Sequence, residues 1–280
     1  MSTTERIPAE APPSAEARLD VAARPGAIVG AYAFAMLVAE VLGVVVGTFA
    51  TTVAYAAIAV IALHHHHFVT TPEEGLGRRR SAVAAFLRCV TIIALARIAT
   101  FALPLHTVPA ALWPAILSLP IGAGIAVVRA AREPSGWRDS WFTSAHAGRE
   151  VVIAAAGIPL SFIAFVVVRP RELIANHSLT TTLIAVASLL LLAAVEETLY
   201  RGLLQRSCVA LFSRSGVAVA VAIAGISTIA DGSVSSSLAA TGMAAVFGAW
   251  VYRTRRLTGV TLAHAIVLIG MLIVWPRVLP

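Results

Sequence analysis

The stretch AIVGAYAFAMLVAEVLGVVVGTFATTVAYAAIAVIAL, residues 27–63, holds a single charged side chain, Glu40, in 37 positions. As one helix it would be about 55 Å long, nearly twice the hydrocarbon thickness of a bilayer. Two spans joined by a tight turn near Gly47 to Thr51 fit it better. The same pattern continues outward, with further spans predicted at roughly 81–103, 109–128, 150–168, 180–205, 216–230, 237–253 and 259–275. The total is nine, or eight if the first pair is a single span. The fold class that follows is all-α, a polytopic integral membrane helical bundle of about eight to nine transmembrane helices.

Composition supports this. The chain has 280 residues, 59% hydrophobic and 12% charged, where a soluble domain carries about 25% charged residues. Its 21 basic residues are all Arg, and most fall in the short segments between apolar runs. Arg78, Arg79, Arg80, Arg129, Arg132, Arg138, Arg149, Arg201, Arg206, Arg214, Arg253, Arg255 and Arg256 fall on one side of the predicted bundle, whereas Arg169, Arg171 and Arg277 fall on the other. The positive-inside rule then predicts a cytoplasmic location for the first group, the N-terminal tail inside and Pro280 outside. The same distribution, without interleaved aromatics, argues against nucleic-acid binding. Cys89 and Cys208 lie in or beside spans without metal-type spacing, so no disulfide framework is expected. Residues 1–26 read as a disordered cytoplasmic tail without the order of a cleaved signal, 27–149 as N-terminal membrane spans, and 150–275 as the membrane core. The run from Arg132 to Glu150, with Trp137 and Trp141, reads as an interfacial loop, and His64 to His67 read as a solvated loop just beyond a span.

Ionisable groups within spans are costly and usually face a bundle interior. Here they are Glu40, Arg88, Arg97, Glu196, Glu197, Asp231 and His264. Glu40 is expected to pair with Arg88 or Arg97. The densest group is Glu196-Glu197-Thr198-Leu199-Tyr200-Arg201-Gly202, at the end of the apolar run Leu183 to Val195. Glu197 and Arg201 are four apart and can form an ion pair, while Glu196 and Tyr200 share the neighbouring face. Burial disfavours a charged carboxylate and a neighbouring guanidinium favours it, so adjacent acids can be held in different protonation states.

Glu-Glu-x-x-Tyr-Arg-Gly at the end of a membrane helix resembles the first motif of the CPBP family, which contains type II CAAX prenyl endopeptidases, bacteriocin-processing and immunity proteins, and lysostaphin-resistance-like proteins. The stretch Gly248-Ala249-Trp250-Val251-Tyr252-Arg253-Thr254, followed by His264-Ala265, resembles the family's C-terminal pattern. The likeness covers about Glu150 to Ile273. It implies an intramembrane glutamic endopeptidase of the plasma membrane that acts on a membrane-associated or lipid-modified protein or peptide, with its active site toward the cytoplasm. Glu196 would be the general base, Glu197 and Arg201 would shape the site, and His264 would hydrogen-bond the water or the intermediate.

Two positions depart from the pattern. Asp231 stands where the family's Phe-x-x-x-His motif places histidine, and Leu268 stands four residues after His264, where the family commonly has Asn. Thr261 or Ser227 could supply the missing donor. The catalytic candidates are therefore Glu196, Glu197, Arg201, His264 and Asp231. Asp231 also fits as a helix cap or the start of the turn Asp231-Gly232-Ser233. No cofactor is expected, since one histidine with two carboxylates makes a poor zinc set, though a metal is not excluded. A second reading stays open: a catalytically weakened or inactive member of the fold that acts as a scaffold or immunity factor. A small transporter is a weaker third, because no repeated half or paired broken spans are present. The oligomeric state is left open.

Overall fold

A computed structural model describes residues 24–70, 77–130, 147–174, 178–231 and 233–279. The predicted tail up to residue 23 and the part of the tryptophan-bearing loop up to residue 146 lie outside the described residues. Every regular element described is a helix. They are α1 (Pro25–Val45), α2 (Thr48–Thr70), α3 (Arg78–Ala102), α4 (Trp113–Ala130), α5 (Ala147–Val168) and α6 (Leu179–Glu197). A wide π-helical turn, Thr198–Leu204, carries α6 into α7 (Gln205–Phe212), and α8 (Gly216–Ile226) and α9 (Val234–Thr254) follow. Finally, α10 (Thr258–Ile269) continues through a second π turn, Gly270–Val274, into α11 (Trp275–Val278).

Among the described residues, eight helical segments are long and apolar enough to cross a membrane, which makes this a multi-pass membrane protein. The first pair separates where the sequence predicts. Gly47 takes φ 117°, a conformation that glycine adopts without the penalty a Cβ would bring, and it reverses the chain between α1 and α2. The count falls from nine to eight farther on, because Leu179–Asp231 forms one helical path of 53 residues. The expected span at 216–230 is an 11-residue helix, α8, which rises only about 16 Å, roughly half the hydrocarbon thickness.

Two local readings are corrected. Ser233, not Asp231, caps α9, since its hydroxyl accepts the Ser236 N–H at 3.1 Å. His64 to His67 are not in a loop but continue α2. Their neighbours account for this: the Tyr32 hydroxyl meets His65 Nδ1 at 2.9 Å, and Arg88 Nε donates to His66 Nε2 at 2.7 Å. Tertiary partners here outweigh the modest helix propensity of histidine.

Large apolar side chains such as Phe34, Phe49, Leu119 and Val127 project from the outside of the bundle, as lipid contact requires. The exception is α3. Of its most apolar window 72% is buried, against 22–39% for the other seven segments, and α3 packs against α1, α2, α4 and α7. On the opposite flank, α5 and α10 approach closely at Gly157, where a Cβ would lie 2.7 Å from the Ala263 carbonyl oxygen. Small residues at such crossings let backbones meet in membranes, and this one fixes the helix turn that carries His264. The buried carboxylate of Glu150 accepts the Gly259 N–H at 2.5 Å, which satisfies one of the orphan donors at the start of α10.

Candidate functional site

The apolar run of α6 ends at Glu196 and Glu197, and the π turn that follows brings Arg201 back toward them. Widened turns of this kind occur often at functional sites. The i, i+4 ion pair expected from the sequence forms, with Arg201 Nη1 3.1 Å from Glu197 Oε1. His264, from the first turns of α10, places Nδ1 at 2.8 Å from the same oxygen. Glu197 is fully buried, so the Nδ1–H that this carboxylate favours sets the tautomer of His264. The other ring nitrogen, Nε2, is turned toward Glu196 Oε2 at 3.7 Å. That separation is too long for a direct hydrogen bond.

Glu196, Arg201, Asp231 and His264 line one cavity of about 300 Å³, which also takes in Arg97, Tyr200 and Ser227. Glu197 stands behind it, joined to the wall through His264 and Arg201. Four of the five sequence candidates thus share a cavity and the fifth supports two of them. The Tyr200 hydroxyl lies 3.0 Å from Ser227 Oγ, tying the π turn to the end of α8. Gln205 Nε2, three residues past the first motif, donates at 2.9 Å to the carbonyl of Gly248, which opens the second. Phe247, just before the second motif, rests against both the His264 ring and the Arg201 guanidinium.

Across the cavity lies a second acid–base cluster. Arg97 of α3 donates through Nε and Nη2 to the two oxygens of Glu40, at 2.8 and 3.0 Å, and through Nη1 to Asp231 Oδ1 at 2.6 Å. Glu40 also accepts from the Tyr55 hydroxyl at 2.6 Å and the Ala230 N–H at 2.7 Å. Of the two arginines the sequence offered to Glu40, Arg97 is the partner. Arg97 as a cavity residue was not anticipated; an arginine deep in an apolar helix was the available signal. Phe247 had none, as it reads as one more apolar position. Thr261 and Leu268 do not line the cavity. Thr261 Oγ1 is buried without a partner among the described residues, and Leu268 packs into the apolar cluster around Leu189 and Ile273. Among the described residues, no group of three or more His, Cys, Asp or Glu side chains is arranged to hold a metal ion.

Residues 178–269 match the family model described as Rce1-like, type II CAAX prenyl endopeptidase. Over this segment the chain is similar to that family. The match spans about a third of the chain, holds both motifs, and agrees with the resemblance to the CPBP family. Searches of curated proteins and of solved structures found no match. The matched segment contributes Glu196, Arg201, Asp231 and His264 to the cavity. Arg97 and the apolar wall residues Leu117 and Ile121 come from helices that precede it.

Proposed function

We propose that this chain is an intramembrane endopeptidase in which Glu196 activates water against a peptide bond of a membrane-associated or lipid-modified substrate. The match to the Rce1-like family supports a protease. The observation that carries the assignment is the facing pair Glu196 and His264 in one cavity, with His264 held by a buried carboxylate behind it. The arrangement parallels the way a buried acid orients a catalytic imidazole in hydrolases. With Nδ1–H given to Glu197, His264 Nε2 accepts one O–H of the attacking water and Glu196 accepts the other. As the water oxygen bonds to the carbonyl carbon, its proton passes to Glu196. When the C–N bond breaks, that proton goes to the leaving nitrogen. The family resemblance would place the protein in the plasma membrane with this site toward the cytoplasm.

The test is turnover of a membrane-embedded peptide by purified protein, compared with Glu196→Ala. Equal turnover in the two would sink the proposal. A second reading, a non-catalytic scaffold or immunity factor, is favoured by Asp231 engaging Arg97 and by Leu268 lying away from the cavity. Under that reading Glu196→Gln leaves the cellular phenotype intact, while bulky replacements of Ala240 or Ala244 on the cavity wall abolish it.

A further inference from the structure

The charged groups of the cavity are unequally presented. The side chains of Arg97 and Arg201 are each 8% exposed and that of His264 is 12% exposed, whereas Glu196 is 29% and Asp231 38% exposed. Both guanidiniums are drawn into the wall by buried glutamates. Arg97 is shared unevenly, since two of its nitrogens serve Glu40 and one serves Asp231. Glu40, fully buried with four donors, takes most of that positive charge. With both acids ionised, one cation against two carboxylates gives the cluster a net negative charge, and Asp231 is where it meets the cavity. The neighbouring wall is apolar, with Leu117, Ile121, Leu192 and Met243.

We infer that Asp231 is a specificity-determining residue that receives a lysine or arginine side chain of the substrate, close to the bond presented to Glu196. A basic side chain suits both parts of the wall. Its methylene stem lies along the apolar residues and its charged head reaches the carboxylate. In a cavity with low-dielectric walls an incompletely compensated carboxylate attracts a cation more strongly than it would in open water. Fixed by Arg97 from behind, Asp231 is already oriented to receive it. This deepens the endopeptidase reading by naming the substrate class for the same cavity.

The experiment uses the full chain carrying Glu196→Gln in lipid nanodiscs and reads binding, not cleavage. A single lysine is walked along a membrane-spanning peptide and each version is compared with its norleucine counterpart. At one position the lysine peptide binds about ten-fold more tightly. That ratio falls to about one in Asp231→Asn and persists in Asp231→Glu. Thermal melting accompanies each variant, and where Asp231→Asn melts early, Asp231→Gln against Asp231→Glu makes the same comparison at matched side-chain length. A preference at no position, or one that survives both neutral variants, overturns the inference. Failure of the native chain to cleave any peptide would remove the endopeptidase reading and leave this binding result standing.

Discussion

Two acid–base clusters border the same cavity and use their carboxylates in opposite ways. In the Glu40–Tyr55–Arg97–Asp231 cluster the buried acid is saturated: both oxygens of Glu40 accept two hydrogen bonds, and a forked guanidinium spans them. In the Glu196–Glu197–Arg201–His264 cluster, Glu197 Oε1 takes both strong donors while Oε2 is buried without a partner among the described residues. Its neighbour Glu196 faces the cavity, with the His264 ring beyond hydrogen-bonding range. A saturated acid holds helices together, and an incompletely saturated one is available to a substrate. The comparison teaches that the N-terminal helices brace the site, while the C-terminal helices carry the groups that could react.

Five substitutions, one of them made only in combination, would break or sharpen this contrast. Arg97→Met strips the saturated cluster of its cation and strands Glu40 in the interior. It should destabilise the protein by about 3–5 kcal/mol, the cost of orphaning a buried charge, read as unfolding in detergent or bicelles. Glu40→Leu combined with Arg97→Met should be less damaging than Arg97→Met alone. Glu196→Gln should do the reverse, leaving the unfolding transition nearly unmoved while turnover falls about a thousandfold. A shift in stability as large as that from Arg97→Met would erase the distinction. Glu197→Gln should lower turnover by roughly a hundredfold with kcat more affected than KM, because its role is to orient His264. The smallest effect is expected from Tyr55→Phe, which removes one of the four donors to Glu40 and should cost about 1.5 kcal/mol without changing turnover.

Much of this was legible in the chain because the signals were local. The break at Gly47 and the Glu197–Arg201 pair follow from span length and helical spacing, while the approach of both motifs to one site followed only from the family resemblance. The choice between Arg88 and Arg97 was not. They are nine residues apart on one helix, which places them on opposite faces at 100° per residue, and only the neighbouring helices show which face meets Glu40. The length of α8 was hidden for a similar reason. Residues 216–230 are apolar enough for a span, but the α-helix ends at Ile226, a short 3-10 turn follows at Ile229–Asp231, and Asp231 is drawn toward Arg97. His64 to His67 were misread because their helix depends on Tyr32 and Arg88, partners remote in sequence.

The deep burial of α3 bears on how the protein is made. A rod with Arg88 and Arg97 along its length gains little from acyl chains, and each mid-membrane arginine costs roughly 2.5–3.5 kcal/mol at insertion. Glu40 is translated 57 residues ahead of Arg97, so its carboxylate can already be in the bilayer when that arginine leaves the ribosome. Order of synthesis thereby supplies the counter-charge before the cation arrives, and Asp231, translated much later, joins a pair that is already formed.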